Sequence, residues 1–275
     1  MATSDLVTVE PERTARRAVP RVLAGASRPQ RWGLGLLGIV LAFGVWQLTS
    51  VLADNPAIYP SATSAFSDVG TLFTGGNLSS VIVTSLIRLI IGFALSAAIG
   101  VLLGLLIGYV RVVREYLSTV IDFLRAIPFP LLLPLMIAVF KFGSATVILL
   151  VVLTSVWPVL VNTADAARSV DPLTHDVVRA CKLRGVTAFR RVYLPAILPE
   201  ILAGLRVAIG VSLAALVIAE MIGASNGIGY FISNSESSFD SRATYAGVIV
   251  LACVGWLADT AFLALERRAL RGRPG

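Results

Sequence analysis

Six stretches of the chain are apolar for long enough to cross a bilayer, at residues 32–53, 81–109, 117–140, 144–163, 197–222 and 244–265. Each comes near or above the roughly 20 residues a spanning helix needs at about 1.5 Å per residue. The apolar residues run on without alternating, so helices are predicted and an outer-membrane barrel is not. The fold expected is all-α and integral to the membrane, with six spans in residues 32–266. A basic, mobile tail is expected over residues 1–31 and a short basic tail over 267–275. The polar connections differ sharply: residues 54–80 hold no Lys or Arg, whereas residues 164–196 are basic and amphipathic.

Composition agrees with this pattern. Of 275 residues, 56% are hydrophobic and 14% charged, which excludes a disordered chain, a coiled coil and an ordinary soluble enzyme. Two cysteines make no disulfide framework, and one histidine makes no His-rich metal site. The net charge of +7 gains meaning once it is mapped. Arg13, Arg16, Arg17, Arg21, Arg28 and Arg31 precede the first span, and Arg111 and Arg114 follow the second. Arg168, Arg179, Lys182, Arg184, Arg190 and Arg191 follow the fourth, and Arg267, Arg268, Arg271 and Arg273 follow the sixth. All these lie on one side of a six-span topology, which makes that side cytoplasmic, with both termini there. The charge is thus a topology signal and not a nucleic-acid surface. The run before Val51-Leu52-Ala53 is longer than a secretory core, which favours an uncleaved first span.

Inside the spans, small residues repeat every fourth position at Gly92, Ser96, Gly100, Gly104 and Gly108, and again at Gly204, Ala208 and Ser212. Such stripes allow close helix approach in lipid. The third span carries Pro128, Pro130 and Pro134 and must break or kink. Broken backbone at membrane depth belongs beside a pathway or inside a packed corner. Charges at that depth face a cavity or a partner. Arg88, Arg125, Arg206 and Glu220 are therefore candidates for a path or gate. Two readings remain open for Arg125, an anion path or a local pair with Asp122; for Glu220 the alternative is a helix-end hydrogen bond.

In the basic connection, Asp171 is placed to cap a helix opening at Pro172, and Val177, Val178, Cys181 and Gly185 fall at helical spacing. A second short helix then leads to Leu194-Pro195, so the connection is expected to form a rigid knob. The run Asp176-Val-Val-Arg-Ala-Cys-Lys-Leu-Arg-Gly185 is followed by Phe189-Arg-Arg-Val-Tyr-Leu-Pro195, by Pro199 and by Gly204-Leu-Arg206. Ala219-Glu-Met221 and Gly227-Ile-Gly229 come next, with Tyr59-Pro-Ser61 and Thr84-Ser-Leu-Ile-Arg88 upstream. This ordered set, over residues 58–268, resembles the permease subunits of binding-protein-dependent ABC importers, and within them the nitrate/sulfonate/taurine/bicarbonate group. The family's loop opens with Glu-Ala-Ala and has a Gly a fixed distance before Leu-Pro. Here Asp176, Val177 and Val178 stand at the opening and Lys182 at the Gly position, with Gly185 three residues later.

The resemblance implies a type I importer permease fold and ATP-driven import of a small anionic solute by alternating access. Such a subunit is not itself an enzyme. The chain has no Gly-x-x-x-x-Gly-Lys-Ser/Thr loop, so ATP and magnesium would sit on separate ATPase subunits, with no cofactor on this chain. It also implies a bacterial cytoplasmic membrane, an extracytoplasmic solute-binding protein and a second permease subunit, as a homodimer. Coupling to the ATPase would fall to Asp176, Val177, Val178, Arg179, Ala180, Cys181, Lys182, Leu183, Arg184 and Gly185. Arg88, Arg125, Pro128, Arg206 and Glu220 would line the path or gate, and Gly227, Gly229 and Tyr230 would meet the binding protein. Rival classes fit less well. An intramembrane serine protease needs a histidine in the bilayer, whereas His175 reads as a solvated loop residue, and His-Glu-x-x-His is absent. A channel or ion-driven transporter would not need the knob.

Overall fold

The computed structural model describes residues 28–53, 55, 58–74 and 77–270. Most of the predicted N-terminal tail, and 271–275 of the C-terminal one, lie outside the described residues. Contacts divide the chain into Met1–Thr49 and Ser50–Gly275. The first unit contributes most of helix α1, Arg28–Leu52, an apolar helix with Phe43 stacked on Trp46 at 6.1 Å. α1 begins within the expected 1–31 tail.

The second unit contains α2 (Ala62–Thr74), α3 (Asn77–Tyr109), α4 (Arg111–Ala126), α5 (Leu133–Phe140), α6 (Ser144–Arg168), α7 (Pro172–Ala180), α8 (Gly185–Ala188), α9 (Leu194–Gly223), α10 (Ile228–Ser237) and α11 (Ser241–Leu270). Among the described residues there is no strand. Among the described residues, five helices are long and apolar enough to span a membrane, or six if the bent pair Arg111–Ala126 plus Phe129–Phe140 is one span.

The small-residue stripe explains the centre of the unit. Gly92 faces Val151, Gly100 faces Val159, Gly104 faces Thr163 and Gly108 faces Ala167, each partner 59 positions further along. A constant offset means that α3 and α6 run parallel. A methyl group on Gly100 would lie 2.7 Å from Val159 Cβ, so the stripe sets the closeness of the two helices. On another face of α6, Gly204 of α9 meets Asn162 and the Pro158 carbonyl, and Ala208 and Ser212 are fully buried. α6 is therefore sandwiched between α3 and α9. Leu133, Leu150, Val151 and Leu216 fill the core where α5 joins them.

Four expectations about element boundaries change. The third span was expected over 117–140, broken or kinked at its prolines; the break is there, but the span begins earlier. α4 starts at Arg111, whose Nε lies 2.7 Å from Glu115 Oε1 one turn on, and only Val110, in extended conformation, separates α4 from α3. α4 is amphipathic, and none of its residues is fully buried. The chain then bends by 75° at Ile127, which the following proline holds extended at φ −72°, ψ 124°. The connection expected over 164–196 is shorter, because α6 continues to Arg168 and α9 begins at Leu194. Its second helix is not a separate piece. From Gly185 the chain passes through a π turn, Phe189–Tyr193, straight into α9. Pro195 supplies the reason, since its missing N–H leaves the carbonyl one turn earlier without its usual donor. At the C-terminus the expected tail from 267 is helical up to Leu270.

Candidate functional site

At the end of the bundle where α6 starts and α9 stops, Arg88 and Glu220 meet. Arg88 Nη1 lies 2.9 Å from Glu220 Oε1, and the residues are 3% and 0% exposed. Both charges are out of solvent, so every polar atom around them must be matched. Ser85, one turn before Arg88, directs its hydroxyl at both carboxylate oxygens at 2.8 Å. Arg88 also donates through Nη1 to the Asn226 carbonyl (2.8 Å), through Nη2 to Asn226 Oδ1 (2.5 Å) and through Nε to Ser144 Oγ (3.0 Å).

The carboxylate also serves α10. The Ile228 N–H donates to Ser85 Oγ at 2.8 Å and the Gly229 N–H to Glu220 Oε2 at 3.0 Å. These are the first two amides of α10, which have no acceptor within their own helix. A negative charge there also suits the helix dipole. Gly227, just before them, has φ +112°, and a Cβ on it would overlap the Glu220 carboxylate. Gly229 is equally constrained, because its Cβ would lie 2.5 Å from the Val217 carbonyl. One cluster thus ties α3, α6, α9 and α10 together. It joins four residues singled out in the sequence, Arg88, Glu220, Gly227 and Gly229. Tyr230 follows, partly exposed. Sequence reasoning did not single out Ser144 or Asn226, and quoted Ser85 only inside a motif; a serine one turn from an intramembrane arginine was the available signal.

The opposite end carries α7. Asp171 caps it as expected, accepting from the Leu173 N–H at 2.8 Å. Val178 is buried and Leu183 part-buried, while Asp176, Val177, Arg179, Ala180, Cys181, Lys182, Arg184 and Gly185 are exposed. Lys182 has φ +50° and Gly185 φ +53°. The position where the family has glycine therefore does adopt the left-handed conformation, with a lysine in it. His175 was expected to be a solvated loop residue and lies instead within α7. It is exposed, but its Nδ1 sits 2.8 Å from Tyr193 Oη. The Tyr193 ring in turn lies 6.3 Å edge-on to Tyr109, the last residue of α3, which also meets Phe189 at 6.2 Å. The α7 segment is thus joined through aromatic rings to the end of α3 and the start of α9.

The remaining candidates stand apart from both clusters. Arg125 lies 3.6 Å from Asp122 and Arg206 3.9 Å from Asp259, with all four side chains about half exposed or more. Pro128 is exposed at the 75° bend, where the neighbouring Phe129 stacks on Trp157 at 5.9 Å.

Comparison with known proteins gives this architecture its family. Residues 99–271 match the model of the binding-protein-dependent transport system inner membrane component. The chain is 33% identical to the aliphatic sulfonates transport permease SsuC of Escherichia coli, covering 90% of this chain and 96% of that one. It is 32% identical to SsuC of Bacillus subtilis over 88% of each chain. It is 29% identical to the nitrate import permease NrtB of Leptolyngbya laminosa over 89% and 85%. A chain of the methionine ABC transporter MetNI, solved in inward-facing conformations, shares the fold. That likeness has a TM-score of 0.59 at 17% identity and covers 70% of this chain and 96% of the other. With its multi-pass helical body and these relatives, the chain belongs to the family of inner-membrane components of binding-protein-dependent transport systems, as a transport permease.

Proposed function

We propose that the chain is the membrane subunit of an ATP-driven importer that takes a small anionic solute from a binding protein and passes it inward by alternating access between two copies of itself. The anionic solute is supported by the names of the relatives, which carry sulfonates and nitrate. Arg125 and Arg206 add little to it, because each faces a carboxylate. The α7 segment would dock the ATPase subunits, which carry the ATP and magnesium, and that end with both termini would be cytoplasmic. The α10 end, with Gly227, Gly229 and Tyr230, would receive the binding protein. The α4 face that carries Asp122 and Arg125, together with Pro128 at the bend, would line the path between the two copies.

One observation carries the coupling role. The α7 segment leaves Leu173, Val177 and Val186 exposed beside Arg179, Lys182 and Arg184, while its His175 is joined through Tyr193 to the ends of α3 and α9. Those same two helices, about 30–40 Å further on at 1.5 Å per residue, hold Arg88 and Glu220. A push on α7 would therefore reach the far end through two helices locked against α6. The test is ATP-driven uptake by the reconstituted importer carrying Gly185→Trp or Cys181→Asp. Uptake should fall while ATP hydrolysis loses its dependence on loaded binding protein. Normal uptake and normal stimulation in both variants would remove α7 from the coupling role.

A further inference from the structure

The groove between α9 and α11 near the last turns of α11 holds charges for which the transport reading has no use. It is an open groove of about 490 Å³, lined by Arg206 from α9 and by Leu263, Glu266, Arg267 and Leu270 from α11. Glu266 Oε2 is buried there and has no hydrogen-bond partner. The other carboxylate oxygen stays accessible and Glu266 has no donor of its own; an unpaired carboxylate at this depth is costly, which points to a ligand that brings a donor. Arg206 reaches Asp259 only at 3.9 Å, with both side chains half exposed. The groove and its rim thus present two guanidinium groups and two carboxylates.

Depth narrows the ligand class. Arg267 and Arg268 lie at the end of a spanning helix, where arginine side chains reach the lipid–water interface. Asp259 is eight residues deeper, about 12 Å along the helix. Beside Arg206 and two turns before Leu263, Val207 and Trp256 are strongly exposed, an apolar surface suited to acyl chains. The occupant therefore needs a negative group for the arginines, a charged N–H donor for Glu266 and apolar tails. We propose that this groove binds a phospholipid with a primary-ammonium headgroup, of the phosphoethanolamine type. Its phosphate meets Arg206 and Arg267, and its ammonium donates to Glu266. A choline headgroup has no N–H to donate, and a glycerol headgroup brings no positive charge.

Native mass spectrometry of the purified full chain, titrated with POPE, POPC, POPG and soluble O-phosphoethanolamine, tests this. POPE should bind at least about tenfold tighter than POPC or POPG, the effect of one charge-assisted hydrogen bond. Glu266→Gln should bring POPE to within about twofold of POPG, and Arg267→Gln should weaken POPE and POPG alike. The comparison of lipids on the unmodified chain stands even if a variant folds poorly. Equal binding of the three lipids, or an undiminished POPE preference in Glu266→Gln, would overturn the proposal. So would O-phosphoethanolamine binding as tightly as POPE, which would give the groove to a soluble zwitterion. Crosslinking of two Arg267→Cys chains through this groove would give it to a second copy and overturn it too. None of these outcomes bears on the coupling role of α7.

Discussion

Replacing Glu220 by glutamine keeps the side chain's shape and removes its charge and one acceptor. In the native cluster one carboxylate oxygen receives Arg88 Nη1 and the other receives the Gly229 N–H, with the Ser85 hydroxyl aimed at both. The amide of a glutamine must take one of these places. If its nitrogen replaces Oε2, the Gly229 N–H faces a donor; if it replaces Oε1, Arg88 does. Either way a charge-assisted hydrogen bond worth about 1.5–3 kcal/mol is weakened and a buried donor is orphaned at about 1–3 kcal/mol. The total is about 3–5 kcal/mol, the range for breaking a buried ion pair from one side. Arg88 retains Asn226 and Ser144, which keeps the loss from being larger. At roughly 2–4 °C per kcal/mol for a unit of this size, unfolding of the purified protein in detergent, followed by tryptophan fluorescence, should shift down by roughly 6–20 °C. The pair Arg88→Met and Glu220→Gln should be non-additive, the double variant less damaged than the sum by at least about 2 kcal/mol. A Glu220→Gln variant that melts with the native protein, or single effects that simply add, would refute the cluster as the lock between α3 and α9.

Three further outcomes follow from other contacts. Gly100→Val should destabilise by about 2–3 kcal/mol, because even its Cβ would lie 2.7 Å from Val159 Cβ between two packed helices; thermal unfolding measures it, while Gly210→Ala, inside α9 with open space around it, should cost nothing and stabilise by up to about 1 kcal/mol. Lys182→Gly should stabilise the turn after α7 by about 1 kcal/mol, since a lysine at φ +50° carries a left-handed penalty that glycine does not; amide exchange of α7 should slow, and unchanged or faster exchange would contradict this. Tyr193→Phe keeps the ring against Tyr109 but removes the hydroxyl beside His175; α7 amides should exchange about fivefold faster, the equivalent of about 1 kcal/mol, while those of α3 stay unchanged.

The long apolar runs were legible in the sequence because the bilayer imposes both their length and their helicity. The glycine stripes were legible as packing surfaces for the same kind of reason, and the Pro128 region as a break. Its angle was not, because the bend depends on how Phe129 seats against Trp157. α4 was misjudged because a window of hydropathy merged its apolar stripe with the leucines after Pro130, hiding a helix that starts at the Arg111–Glu115 pair. α2 and α10 were read as loops because each is a short helix whose pattern is too brief to announce itself. The amides of α10 are capped by a serine and a glutamate from two other helices, a tertiary fact. Arg88 and Glu220 each stood out as a charge in an apolar run, yet nothing local told that residues 132 positions apart are partners. His175 is exposed as expected, but its contact with Tyr193 was not legible because that residue follows 18 positions later, beyond the next turn.

The most direct test of the account is uptake into vesicles containing this permease, its ATPase subunits and its binding protein, with ATP inside or outside. The account predicts solute accumulation against a gradient only when ATP reaches the α7 side, abolished by Gly185→Trp without loss of the assembled complex. Solute movement that runs down its gradient, indifferent to ATP and to the ATPase subunits, would contradict it.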